Sequence, residues 1–426
     1  MAEPMSRPRD VISDPPDARG PALGRGRIVL AVLGVLLVAA CLRPAITSVG
    51  PVLHRIGADL GIGQSGLGLL AALPLLAFAV VSPFAHVIAR RLSTDITVLG
   101  ALIMIIIGLC LRSLPVSGLL WIGTIGVGVG VAVGNVLVPA VVKRDFPDHI
   151  SRMTGGYTAT MNTFAAVASG ISVPVATLSI ADLAGWRISI GIWVVLATSA
   201  MIVWSLRMRL VGHRSDRAVP VGRGPAIDHG ALEERPRLWR SALAWQVTLH
   251  MGLQSTVFYA LVNWLPTIET EQGVSAGVAG SYLFLYQAVG IAAAFTVTMM
   301  MSRRDDQRWI AVLVAVPMLI ALLGLMLAPG LVIIWSALGG MTSGSAIALA
   351  LALMGLRTAD PVDTARLSGM AQGVGYLLAA GGPLAAGTIR EHAGSWTPVL
   401  LVLIGLTVAQ GVFGWLAGRD RVIGRN

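Results

Sequence analysis

Twelve stretches of roughly twenty apolar residues each, the length a helix needs to cross a bilayer core, recur along this chain and limit its fold more than any other feature. A backbone in lipid has no water to bond, so only helices and closed barrels can span it. The runs lack the alternation of barrel strands, which leaves helices. The approximate spans are 28–53, 65–89, 96–113, 118–142, 152–176, 187–207, 241–265, 277–302, 308–328, 331–356, 365–389 and 396–418. The expected fold class is therefore an all-α membrane protein with twelve transmembrane helices. With 55% hydrophobic and 12% charged residues, against about a quarter charged in soluble domains, a water-soluble core is excluded.

The net charge of +10 would suit nucleic acid only if the basic residues formed patches with interleaved aromatics. They sit instead in short loops between apolar runs, so the expected surroundings are the lipid bilayer and not nucleic acid. With both termini placed inside, 26 of the 31 Lys and Arg residues fall on the cytoplasmic side. Arg43, Arg55, Arg112, Arg187 and Arg390 remain outside. This asymmetry predicts a multi-pass protein of the cytoplasmic (inner) membrane with both termini cytoplasmic. The first run, from Ile28, has no small-residue cleavage site and reads as a retained helix. Cys41 and Cys110 lie inside apolar runs and read as small hydrophobes. Neither a metal nor a cofactor is called for.

The chain divides into a disordered cytoplasmic tail (1–26), a first six-helix bundle (27–207), a cytoplasmic linker (208–240), a second bundle (241–418) and a short tail (419–426). Echoes link the two bundles. Arg90-Arg91 with Asp95 corresponds to Arg303-Arg304 with Asp305, and Lys143-Arg144-Asp145-Phe146-Pro147 corresponds to Arg357 with Asp360-Pro361. Thr154-Gly155 answers Ser368-Gly369, and Gly185-Trp186 answers Ser395-Trp396. Together they argue for two pseudo-symmetric six-helix bundles, the major facilitator architecture, which binds substrate near midplane between the halves.

Specific strings carry a closer resemblance. They are Leu42-Arg43-Pro44 with Thr47-Ser48-Val49-Gly50-Pro51, and Gly134-Asn135-Val136-Leu137-Val138-Pro139 running into Lys143-Arg144-Asp145-Phe146. Later come Gly252-Leu253-Gln254-Ser255, Phe258-Tyr259, Trp264-Leu265-Pro266 and Ser368-Gly369-Met370-Ala371-Gln372. The chain resembles the cyanate and 2-nitroimidazole transporter family of the major facilitator superfamily. The resemblance implies a secondary carrier for a small anionic or polar solute, without covalent chemistry. One departure stands out: from Phe84 to Asp95 the helix-end Asp of the superfamily's loop motif is missing, which removes the ion pair usually assigned there.

Ionisable groups in lipid cost roughly 2.5–3.5 kcal/mol at a helix centre and so tend to be functional. Arg43 lies about 22 Å along the first helix at 1.5 Å per residue. It reads as an anion-attracting group in the central cavity, which helix one lines in this fold; the alternative is a side chain snorkelling to headgroups or tied to carbonyls freed at Pro44. Arg112, ending helix three, reads as an interface anchor. Gln246, His250 and Gln254 share one face of helix seven. His250 is the candidate carrier of a coupling proton, against the plainer reading of a neutral histidine bonded between helices. Gln254, which matches the family, is a cavity candidate.

Gln372 and Tyr376 on helix eleven share a one-turn spacing with Thr158 and Asn162 on helix five, its counterpart. With Asn135 and Tyr259 they would line a cavity offering a few directed hydrogen bonds to a small-molecule solute. Tyr157, Tyr286 and Gln287 could join them. Arg43 would make that cavity positive, and the 21 acidic residues all fall in tails, loops or helix ends. The glycine runs from Gly123 to Gly134 and from Gly339 to Gly344 read as close helix packing, not nucleotide loops. Two competing functions remain: an efflux pump for amphipathic drugs, and an intramembrane enzyme, for which no nucleophile–base set or metal-ligand spacing is present at membrane depth.

Overall fold

The computed structural model describes residues 25–178, 184–211, 238–304, 306–359 and 361–424. The N-terminal tail and most of the linker expected at 208–240 lie outside the described residues. Described segments are almost entirely helical. The first span is broken into α1 (Arg25–Leu42), α2 (Pro44–Thr47), one 3-10 turn (Gly50–Val52) and α3 (Leu53–Leu60). Then follow α4 (Gln64–Leu92), α5 (Thr94–Ser113), α6 (Ser117–Asp145), α7 (Ile150–Ala176), and α8 (Gly185–Gly191) with α9 (Trp193–Val211) as one interrupted span. The second set is α10 (Ala242–Glu271), α11 (Ala276–Met301), α12 (Arg308–Leu327), α13 (Val332–Leu356), α14 (Pro361–Ala393) and α15 (Thr397–Ala417).

Ten helices among the described residues are long and apolar enough to cross a membrane. The two long helices outside that set, α10 and α14, carry more polar side chains and pack on each other, where protein rather than lipid meets those groups. Successive helices alternate direction, so their ends sort to two faces. Arg90, Arg91, Lys143, Arg144, Arg303, Arg304 and Arg357 mark one, the basic face; α3, the start of α4 and the end of α14 mark the other.

Small residues set the spacing between helices. A Cβ on Gly123 would stand 2.5 Å from the Gly108 carbonyl oxygen, joining α5 to α6. On Gly344 it would stand 1.7 Å from the Gly290 carbonyl oxygen, joining α11 to α13. Such approach lets dispersion act over a long contact where no hydrophobic force drives helices together.

The basic face of the first bundle is tied by ion pairs the sequence reading did not expect. Arg144 Nη2 donates to Asp95 at 2.8 Å and its Nε to Asp145 at 2.7 Å. Arg207 Nη1 donates to the same Asp95 oxygen at 2.9 Å, and Nη2 donates to Asp145. The Arg207 guanidinium also stacks 4.1 Å from the centre of the Trp204 ring, whose Nε1 donates to the Asp95 carbonyl. Asp95, at the start of α5, thus supplies a carboxylate although the loop motif lacks its helix-end Asp. All four charges are largely buried.

Breaking a buried pair strands its partner. Asp95→Asn is expected to lower unfolding stability by about 3–5 kcal/mol, read by thermal unfolding in detergent. Gly344→Ala should cost about 1–3 kcal/mol by overpacking, whereas Gly100→Ala, with nothing within 4 Å of its added Cβ, should cost none. Equal melting temperatures for the two glycine variants would contradict the close α11–α13 contact.

Candidate functional site

The break in the first span creates the site. Pro44 lacks an amide hydrogen and cannot continue the ladder of α1. Arg43, at the junction, has φ −107° and ψ −40° and is half-buried. The Arg43 carbonyl accepts the Ile46 and Thr47 amides at 2.9 Å, and the Thr47 hydroxyl lies 3.2 Å from both that oxygen and the Ala165 carbonyl oxygen of α7. The guanidinium of Arg43 lies 5.6 Å from the centre of the Phe258 ring of α10, across the seam between the bundles. Phe258 meets Tyr259 edge-on with centroids 4.9 Å apart, and Phe78 of α4 meets Tyr376 of α14 at 5.4 Å.

Of the five arginines read on the outer side, four are otherwise engaged. Arg55 donates to the Ala176 carbonyl at 2.8 Å, Arg112 to the Ala45 carbonyl at 2.7 Å, and Arg187 to the Leu114 carbonyl. Arg390 donates to Glu271 at 2.9 Å. Arg43 alone of the five meets no acceptor and no carboxylate among the described residues. Asn135 and Asn162 are half-buried and hydrogen-bond to no described residue. Gly134 brings Asn135 against the first span, since its Cβ position lies 2.5 Å from Leu42 Cδ2. Gln372, also half-buried, donates to Ser368 Oγ at 2.8 Å.

Other sequence candidates occupy different surroundings. Gln254 lies one turn from Phe258 but is buried, its amide nitrogen donating to Ser255 Oγ at 2.7 Å. His250 is fully buried between α10 and α15; its Nδ1 is 3.0 Å from the Gln410 carbonyl oxygen, and the ring closes against Gly414. Gln246, on the same face, accepts from Arg419 at 3.1 Å. All three members of that stripe therefore meet partners within the second bundle. Gln287 crosses the seam to the Ala165 carbonyl and Ser169 Oγ of α7, and Tyr286 is buried beside Gly339 and Gly340. Arg112 is 1% exposed, not an anchor in the headgroups. Glu269, in the last turn of α10, is a helix-end acid as read but is fully buried, with Oε1 accepting from Ser336 Oγ at 2.8 Å. Sequence spacing could not reveal that, because Ser336 lies 67 residues away. No cluster of three potential metal ligands occurs among the described residues.

Contacts across the seam lie between the middle of the molecule and the face opposite the basic one. Beyond Phe78–Tyr376 and Gln287–Ser169, Gly68 of α4 meets the Pro383 carbonyl, and Gly50 meets the Val262 carbonyl. At the edge, Glu391 Oε2 accepts the Ser65 amide at 2.6 Å, in the first turn of α4. Toward the basic face, Val80, Phe84 and Val87 of α4 are exposed.

The Ser65 amide holds the Glu391 carboxyl below the usual carboxylate range. A lowered carboxyl contributes to the closed seam above its ordinary value, about 4.3, and that contribution is lost as pH falls through the lowered value. Acidification below about pH 4, or Glu391→Gln at neutral pH, should therefore lengthen the distance between spin labels at Ala58 and His392 in a background without native cysteines. An unchanged distance in both cases would remove Glu391 as a latch.

Comparison with known proteins agrees with this fold. The chain matches the family described as the Major Facilitator Superfamily over residues 35–359. It is 38% identical over 400 residues to the 2-nitroimidazole transporter of Escherichia coli, covering 94% of this chain and 98% of that one. It is 26% identical over 383 residues to the cyanate transport protein CynX of the same organism, covering 88% and 95%. Among solved structures, a bacterial homologue of the human lysosomal transporter Spinster superposes with a TM-score of 0.75 at 16% identity, covering 94% of this chain and 99% of that one.

Proposed function

The chain belongs to the Major Facilitator Superfamily as a multi-pass membrane transporter of a small-molecule solute, and we propose that it is a secondary active carrier for a small anionic or polar solute. In this reading residues 27–207 and 241–418 rock against each other, exposing one central cavity alternately to the two sides of the cytoplasmic membrane. The basic face is cytoplasmic by the positive-inside rule, with both termini on that side. Seam contacts concentrated toward the other face then correspond to an inward-facing state.

The observation that carries the proposal is the guanidinium of Arg43, partnered among the described residues only by the Phe258 ring across the seam, whose edge-on neighbour is Tyr259. Guanidinium presents a rigid fork of donors that suits an anion or a nitro group, and the Phe258 ring beside it offers a face for a flat solute. Asn135, Asn162, Gln372, Tyr259 and Tyr376 supply further donors and acceptors whose bonds are open or held locally. A solute such as 2-nitroimidazole, carried by the Escherichia coli relative named above, combines both demands. Cyanate, as an anion, meets the first.

Uptake of labelled 2-nitroimidazole and cyanate into proteoliposomes, with and without a pH gradient, tests this reading. Hydrogen bonds to a charged group contribute about 1.5–3 kcal/mol each, so Arg43→Gln should slow uptake roughly ten- to hundredfold, with unfolding temperature unchanged. Undiminished uptake by that variant would refute the cavity assignment. His250→Ala addresses the coupling proton. The imidazole's place between α10 and α15 supports a structural role, so gradient-driven uptake should persist in that variant.

A further inference from the structure

Arg112 is a buried cation with no counter-charge. It sits in the last turn of α5, 1% exposed, and no carboxylate among the described residues pairs with it. Of the five N–H donors of its guanidinium, one reaches the Ala45 carbonyl at 2.7 Å and another the Ile190 carbonyl at a long 3.5 Å. Nε is buried and has no partner. Withdrawing an ion from water without compensating its charge costs several kcal/mol. Two carbonyl dipoles, one of them distant, compensate only part of that.

Beside this guanidinium lies a small cavity of about 10 Å³. Its wall includes Arg112, Ala45, Pro74, Thr124, Ile190 and Asn263. That is the room open to the centre of a water-sized sphere, so the cavity admits one small spherical particle, water or a somewhat larger monatomic ion. Asn263, 1% exposed, donates one amide hydrogen to the Tyr259 carbonyl at 2.8 Å and keeps a second. The Thr124 hydroxyl donates to the Leu120 carbonyl at 2.7 Å, so it offers no proton of its own. The donors free at this wall are thus the uncompensated guanidinium and one amide N–H.

We propose that this cavity is a binding site for a monatomic anion, chloride in the first instance, which supplies the missing charge opposite Arg112. Water fits the same volume but brings no charge, whereas a spherical anion needs only donors. Asn263 comes from α10 and the rest of the wall from the first bundle, so the site is complete only while the seam is closed on that side. Anion binding therefore favours the closed seam. The site is separate from the Arg43 cavity, and its test does not depend on which solute is carried.

The test is thermal unfolding of the full chain in detergent at constant ionic strength, with chloride or bromide replaced stepwise by gluconate, which is too large for the cavity. The wild type should unfold several degrees higher in chloride, with a saturable dependence. Asn263→Asp places a carboxylate on the wall and should abolish the response while unfolding no lower than the wild type in gluconate. Arg112→Gln should also abolish it. Arg43→Gln should retain it in full. Identical unfolding temperatures of the wild type in chloride and gluconate would overturn the proposal, leaving water as the occupant. A response that persists in Asn263→Asp, or disappears in Arg43→Gln, would overturn it equally by placing the anion elsewhere.

Discussion

Every backbone polar group inside the bilayer must find a partner in the protein, and at Pro44 the first span fails to provide its own. Val49 donates to Ile46 rather than to the carbonyl four residues back, so the turn tightens and the Ala45 oxygen is left over. Arg112 takes that oxygen, and the Thr47 hydroxyl lies between the Arg43 carbonyl and that of Ala165 in α7. Three helices are thereby fixed around one broken turn. A continuous first helix would keep the Ala45 carbonyl on its own ladder and would leave Arg112 without that acceptor. The break is thus the condition for a guanidinium at the seam and also the reason a second arginine can be buried behind it.

The spans, the all-helical class and the family were legible because each rests on local pattern: run length, the distribution of Lys and Arg, and strings such as Leu42-Arg43-Pro44. Partner choice was not legible. Asp95 reads as an ordinary first-turn acid of α5, and only the fold brings Arg144 and Arg207 to it from 49 and 112 residues away. Arg112 sits at a helix end, where arginines generally snorkel, yet the carbonyl that draws it inward is 67 residues earlier. Gln246 and His250 share a polar face of α10. Periodicity says that a face is polar without saying which neighbour it meets, and here the neighbour is α15 with its C-terminal extension.

Within the proposed site, what the two bundles contribute differs in kind. The first brings the fixed charge and the free amides, Arg43, Asn135 and Asn162; the second brings Phe258, Tyr259, Tyr376 and the locally bonded Gln372. A charge held by one bundle and aromatic faces held by the other can be satisfied together only by something lying between them. Neither half alone surrounds a flat anion. A solute that contacts both favours conformations in which the halves are close, because a ligand shifts an equilibrium only by its differential affinity for the two states.

The seam explains why so much of its contact is backbone to backbone. Gly50 against Val262, Gly68 against Pro383 and Gly387 against Gln64 bring main chains together at distances that any Cβ would forbid. Under the proposed rocking of the halves, side-chain interdigitation would have to be undone atom by atom at each opening. Smooth surfaces edged with glycine can instead separate with few rotamer changes and return to one register. The directional bonds that remain are few, chiefly Ser65 to Glu391 and Gln287 to Ser169. A net hydrogen bond is worth about 0.5–1.5 kcal/mol, and one to a charged group about 1.5–3 kcal/mol, so under the proposed mechanism the pair biases the equilibrium by an amount that binding of a small solute can match. That balance is what a two-state carrier needs: a seam strong enough to close, yet weak enough for a small ligand to decide when.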